Sequence, residues 1–306
     1  MEPMSKALCV AATAAGSAAG SAATPTAPPG EPISPPIMAL LATGTCMLVG
    51  WIALRVVRPR KVLLRNVPGR ANTLNLLHVL CVFLVFHVAI SLAALSVASA
   101  QGIEIQRFSD LPMPLSLWVS AFGQVVLAAG AIAVAAMTFR HGIRRGMGLS
   151  GRHWFCDTLR GVLAVLTILP ACMGALYLTG LLIRAGLLPV RVVTHPILVF
   201  LPSAGTGDVV LAIVSTVVLA PVCEELFYRG LIQSMLRRYV RRPWTAILVA
   251  SGIFAAVHWP QVQDMPALFV LGVALGYNYA RTGRLVAPMV IHALFNAAMI
   301  WGTLSR

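Results

Sequence analysis

Eight apolar stretches divide the chain, each bounded by Arg, Pro or Gly: residues 37–57, 74–100, 115–139, 160–183, 207–236, 244–258, 266–280 and 286–303. A helix needs roughly 20 residues to cross a bilayer, so the sixth and seventh stretches are short. Short spans are tolerated where other helices shield them. The segment 192–202 is apolar but bounded by Pro, and reads as a re-entrant or interfacial piece. The pattern predicts an all-α fold, a polytopic transmembrane bundle of about eight helices. Residues 1–36, rich in Ala, Gly, Ser, Thr and Pro, read as a disordered tail. Lys6 before the run 7–15 resembles the start of a signal peptide, but that run is Ala-dominated and weakly hydrophobic. Three units follow: the tail over 1–36, N-terminal transmembrane helices over 37–206, and a final unit over 207–303.

Composition narrows the class. Of 306 residues, 58% are hydrophobic and 10% charged. A soluble domain carries about 25% charged residues, so a soluble enzyme is excluded, as is a disordered or disulfide-rich secreted protein. The six cysteines contain no C-x-x-C pair and sit mostly in apolar runs, where Cys acts as a small hydrophobe.

Charge adds topology. The 23 basic residues against 9 acidic give a net charge of +14. In so apolar a chain this marks membrane edges rather than a nucleic-acid partner. The first, third, fifth and seventh connections are basic, through Arg58 to Arg70, Arg140 to Arg152, Arg237 to Arg242, and Arg281 with Arg284. The second, fourth and sixth are not. The positive-inside rule then makes the odd connections cytoplasmic. Eight spans place both termini on the outer side. The Ala- and Arg-rich composition points to a bacterial inner membrane.

Two acids lie where charge is costly. Glu224 and Glu225 are adjacent within the fifth stretch, four residues before Arg229. Each ionised group near a bilayer centre costs about 2.5–3.5 kcal/mol on insertion scales, so this helix must be buried among others and its charges partnered. Neighbours on a helix point about 100° apart, so the two carboxylates do not share a face. Glu225 and Arg229, four apart, can pair. Glu224 is left without a local cation, in surroundings suited to a general base. Pro221, one turn earlier, removes a backbone hydrogen bond and suggests a kink beside Glu224.

Further polar groups reach the same depth. His258 follows Phe254 by four, and Asn296 follows His292 by four. Counted from the basic ends, Glu224, His258, His292 and Asn296 lie 8 to 14 residues deep, or roughly 12 to 21 Å at 1.5 Å per residue. His78 and His87 read as lone helix histidines, and His141, His153 and His195 as loop residues without a special role. Trp244, Trp259 and Trp301 fit interfacial anchors.

The run Ala220-Pro221-Val222-Cys223-Glu224-Glu225-Leu226-Phe227-Tyr228-Arg229 carries E-E-x-x-x-R, Phe254 to His258 gives F-x-x-x-H, and His292 to Asn296 gives H-x-x-x-N. These three motifs, in order and in membrane segments, resemble the CPBP family of type II CAAX prenyl proteases and Abi, or bacteriocin-immunity, proteins. The resemblance covers residues 207–302 and makes 207–303 a CPBP-like catalytic core. It implies an intramembrane endopeptidase acting on a membrane-associated peptide or protein. Glu224 and His258 would activate a water, and His292 with Asn296 would form the oxyanion hole. Glu225 and Arg229 would support them, and Phe254 would pack the site. A mechanism without metal is favoured; the alternative is zinc held by Glu224, His258 and His292. A second alternative is a non-catalytic immunity or regulatory protein on the same scaffold. The bilayer is the other expected partner.

Overall fold

The computed structural model of the protein describes residues 69–305 apart from Ser150 and Arg241, with Cys46, Val49, Gly50, Ala53 and Leu64 singly. The expected tail over 1–36 lies outside the described residues, as does all but a few positions of the stretch 37–57. The described residues are helical in the order α1 (Leu76–Ala100), α2 (Met113–Thr138), short α3 (Gly142–Gly146), α4 (Trp154–Arg184), short α5 (Pro196–Phe200), α6 (Thr206–Tyr239), α7 (Pro243–Ala256), α8 (Met265–Thr282) and α9 (Val286–Leu304). Extended pairing among them is limited to one isolated bridge, Asn72 with Phe139.

Five of these helices, α1, α2, α4, α6 and α9, are long and apolar enough to cross a membrane. The expected count of about eight is not reached among the described residues. The first stretch lies outside them, α7 has only 14 residues, and α8 ends in a polar, charged turn. The piece expected at 192–202 is α5 followed by a tight turn over Leu201–Ser203.

Local chemistry sets the helix ends. Asn75 caps α1 by accepting from the His78 N–H, and His78 returns the bond through Nδ1 to the Asn75 N–H. Pro243 occupies the first turn of α7, where its missing N–H costs nothing. Gly283 closes α8 in the left-handed conformation. Outward faces of α1 and α2 are apolar and exposed, through Leu77, Leu84, Leu92 and Phe122 among others. A surface of this kind suits lipid rather than water.

The core lies where α6, α8 and α9 meet, around Leu231, Phe254, Leu271, Leu275, Leu285 and Ile291. Helices α7 and α8 pack closely because Gly272 faces Ser251. A Cβ at Gly272 would stand 3.2 Å from the Ser251 Cα.

The basic connections converge at one end of the bundle. Arg140 N–H bonds the Ala71 carbonyl, Thr73 N–H bonds the Thr138 carbonyl, and Arg238 reaches the Leu74 carbonyl at 2.8 Å. Arg70 donates to the Gly283 carbonyl, and Arg284 grips the buried Asp157. The segments at residues 69–75, 139–153, 234–240 and 281–285 thus share one side, as their charge predicts. Gly148, at φ 71°, lies against that side, and a Cβ there would fall 1.9 Å from the Gly283 carbonyl oxygen. The collision is with backbone that Arg70 holds in place. Gly148→Ala should therefore destabilise the protein by about 2 kcal/mol or more, read as a lowered thermal midpoint of detergent-purified protein.

Candidate active site

The site is built on α6, whose local sequence does not allow a uniform helix. Two widened π-helical stretches, Val214–Leu219 and Leu226–Gln233, flank a short α-helical piece, Ala220–Glu225. Pro221 explains the first. Its ring crowds the preceding turn and it has no N–H. The Ala220 N–H bonds back five residues to the Ser215 carbonyl. Continued by one residue, the same pattern would give the Thr216 carbonyl to Pro221, which cannot donate. Asn296 takes that carbonyl instead, Nδ2 to Thr216 O at 2.8 Å. The expected kink at Pro221 is thus a widening of the helix. It ties α9 to α6 and leaves the second N–H of the Asn296 amide without a partner among the described residues.

Glu225 is fully buried and central. Its Oε1 accepts from Arg229 Nη1 at 2.7 Å and contacts His292 Nδ1 at 3.1 Å. Arg229 is 1% exposed. It also donates to the Gly272 carbonyl at 3.2 Å and lies 4.8 Å from the centre of the Phe254 ring. The close approach of α7 and α8 at Gly272 therefore also brings a carbonyl to the guanidinium. The Glu225–Arg229 pair expected from the spacing is present.

Glu224 points elsewhere, as its position on the helix requires, yet one imidazole faces both carboxylates. His292 Nε2 stands 3.8 Å from Glu224 Oε2 while its Nδ1 contacts Glu225. The Nδ1 contact is a hydrogen bond to Glu225 when Nδ1 carries the ring proton. The Nε2 edge is turned to Glu224, whose buried Oε2 makes no hydrogen bond among the described residues. This geometry allows proton exchange between Glu224 and His292, directly or through one water.

His258 stands apart from this line. It lies just beyond the end of α7, with Nδ1 bonded to the Phe254 carbonyl at 2.8 Å. It has no hydrogen bond or ion pair with Glu224. The Phe254 ring lies between the two imidazoles, its centre 5.2 Å from that of His258 and 5.6 Å from that of His292. Phe254, fully buried, thus touches the rings of Tyr228, His258 and His292 and the guanidinium of Arg229.

The sequence reading missed the surroundings of His258. His195, read as a loop residue, is an electrostatic neighbour of His258. Desolvation, and then the charge of His258, lower its pKa. Gln263 clips the segment carrying His195 to the α7–α8 turn through Val193, donating to its carbonyl at 2.7 Å and accepting from its N–H at 3.4 Å. Nothing in the spacing of residues 193 and 263 signals this pairing.

Asp264 lies on the same turn, and desolvation raises its carboxyl pKa. The folded state then binds that proton more tightly than the unfolded state, so stability falls as pH rises through the raised pKa. Asp264→Asn should abolish that loss and flatten the fall of the thermal midpoint as pH rises above the ordinary Asp range. The effect is small, since the side chain is only partly buried.

Among the described residues, no group of three or more His, Cys, Asp or Glu is arranged to hold a metal ion. The zinc alternative requires Glu224, His258 and His292 together. Two of them approach and the third is turned to a backbone carbonyl, so zinc at these three residues would require the His258 ring to turn.

This geometry, two glutamates and an Arg on one helix facing a His-x-x-x-Asn helix across a Phe-x-x-x-His helix, has relatives. Residues 206–298 match the Rce1-like type II CAAX prenyl endopeptidase family. The matched segment contains all three motifs and begins at the start of α6. A curated relative from Escherichia coli, described as an uncharacterized 24.3 kDa protein, is 31% identical over 88 residues. That match covers 28% of this chain and 41% of the relative, so the chain spans about two-fifths of the length of the relative it matches. No solved structure matches. The apolar helices indicate an integral membrane protein, and its segment 206–298 is similar to a membrane endopeptidase family.

Proposed function

We propose that the protein is an intramembrane endopeptidase that hydrolyses a peptide bond in a membrane-associated protein or peptide. The observation that carries this reading is the line from half-buried Glu224 through His292 and Glu225 to buried Arg229, set within a segment matching a prenyl endopeptidase family. Peptide hydrolysis needs a nucleophilic water, a base for its proton, and donors for the developing oxyanion. Glu224 is the base. It takes a proton from water as the water oxygen bonds to the scissile carbonyl carbon. The free N–H of Asn296 and the Nε2–H of a doubly protonated His292, whose Nδ1–H is held by Glu225, stabilise the carbonyl oxygen as it gains charge. The C–N bond then breaks, and the proton held by Glu224 passes to the leaving amine. Glu225 and Arg229 hold the His292 orientation, and Phe254 spaces the imidazoles.

His258 is assigned to the water from its motif position. It acts after a side-chain rotation that releases the Phe254 carbonyl. The domain division at residue 207, the cytoplasmic placement of the basic end and a bacterial inner membrane belong to the same reading.

The test compares membrane-proteome termini by mass spectrometry in cells with wild-type, Glu224→Ala or His258→Ala protein. Truncated products should appear with wild type alone. Products that persist in both variants would leave the chain a non-catalytic partner on this scaffold. Elemental analysis of the purified protein tests the zinc alternative.

A further inference from the structure

The basic end of the bundle contains a cavity that the peptidase reading does not use. It has a volume of about 360 Å³ and is lined by Arg70, Arg145, Arg284, His141, His153 and Thr282. From the structure, we infer that this cavity binds a phosphate-bearing anion, presented as the headgroup of an acidic phospholipid.

Charge is the first reason. Three guanidinium groups line the cavity, and the acid beside them is the buried Asp157, which Arg284 grips through two hydrogen bonds and Arg160 through one. Among the described residues no other acid lies on the connections at this end. Arg145 is exposed and has no partner among the described residues. Arg70 is held at the wall by the Gly283 carbonyl, with N–H groups to spare, since a guanidinium carries five. Planar guanidinium forks with fixed positions match phosphate oxygens.

Shape is the second. The wall also carries Gly146, packed against the Phe139 side chain, and Gly148, packed against the Gly283–Arg284 backbone. Backbone forms that part of the wall. A second cavity of about 400 Å³ shares Arg70 and Thr282 and continues past Arg237 and Arg281. The two form one basic groove.

Position is the third. The cavity lies where α2 ends, α4 begins and α8 turns into α9. Trp154 and Phe155, 57% and 81% exposed, follow His153 at the first turn of α4. Exposed aromatics beside helix ends mark headgroup level, and basic pockets between helix ends at that level suit acidic headgroups.

The test uses full-length protein in detergent, titrated separately with phosphatidylglycerol, phosphatidylcholine and inorganic phosphate. Bound species are read by native mass spectrometry. Phosphatidylglycerol should bind at least about five-fold more tightly than phosphatidylcholine, and Arg145→Gln should weaken it by about five-fold, the weight of one surface arginine. Arg144→Gln, a neighbour outside the cavity, should change nothing, and the thermal midpoint of Arg145→Gln should match wild type. Competition by inorganic phosphate would show that the phosphate group itself is recognised. Binding of phosphate alone, lost in Arg145→Gln, would support a soluble phosphate-bearing ligand as the source. Equal binding of both lipids with no binding of phosphate, or lipid binding equal in wild type and Arg145→Gln, would overturn the inference.

Discussion

Arg229→Met protein should lose about 3–5 kcal/mol of stability, enough to remove most folded protein from detergent extracts. Arg229 and Glu225 are 1% and 0% exposed. Removing the guanidinium leaves a buried carboxylate facing His292 alone, and it also removes a donor from the Gly272 carbonyl. Methionine fills much of the volume, so the loss reports charge rather than a cavity. The double variant Arg229→Met/Glu225→Gln removes both charges and should recover much of that loss, because an uncompensated buried ion costs more than an absent pair. Thermal midpoints of the two singles and the double form a cycle whose coupling should exceed about 1 kcal/mol. A single variant costing under about 0.5 kcal/mol, the range of surface substitutions, would mean that the pair is not desolvated.

Glu224→Gln should behave in the opposite way: normal insertion, a thermal midpoint equal to or above wild type, and a hydrolysis rate lower by about 10²–10⁴. The reason is in the hydrogen bonding. Glu224 Oε2 is buried without a hydrogen bond among the described residues, and His292 Nε2 stands 3.8 Å from it. An amide there loses no structural partner but cannot accept a proton from water. Two adjacent glutamates thus separate into a structural and a chemical one. Glu225→Gln should lower both stability and rate, Glu224→Gln the rate alone. Midpoints and turnover measured on the same preparations test the division. A Glu224→Gln protein that is active but unstable would reverse the assignment.

The separation of the two glutamates was legible in the sequence. Their 100° offset and the four-residue spacing to Arg229 predict that Glu225 is paired and Glu224 is not, and the helices place them so. The helix positions were legible too, to within a few residues at most ends, because apolar runs bounded by Arg, Pro and Gly leave little freedom. The convergence of the basic connections followed from charge alone.

Other parts of the site were not legible, each for a physical reason. The π-helical stretches of α6 do not disturb an apolar pattern, since every residue from Glu225 to Met235 is buried. Pro221 signalled a defect but not its form, because a kink and a widening share the same missing N–H. His292 between both glutamates depends on how α9 rotates against α6, which the Thr216 carbonyl and Asn296 fix across 80 residues of chain. The depth count placed His258 level with Glu224 but could not fix its direction. Its ring bonds a carbonyl of its own last turn, and its electrostatic neighbours are His195 and Asp264.

The central claim is that water, activated at Glu224, cleaves a peptide bond. The most direct measurement places purified wild-type and Glu224→Gln protein in proteoliposomes with solubilised membrane proteins in H₂¹⁸O, followed by mass spectrometry of new carboxyl termini. Wild type should yield new termini carrying ¹⁸O, absent with Glu224→Gln. New ¹⁸O-labelled termini in equal amounts from both proteins, or none from wild type, would contradict it.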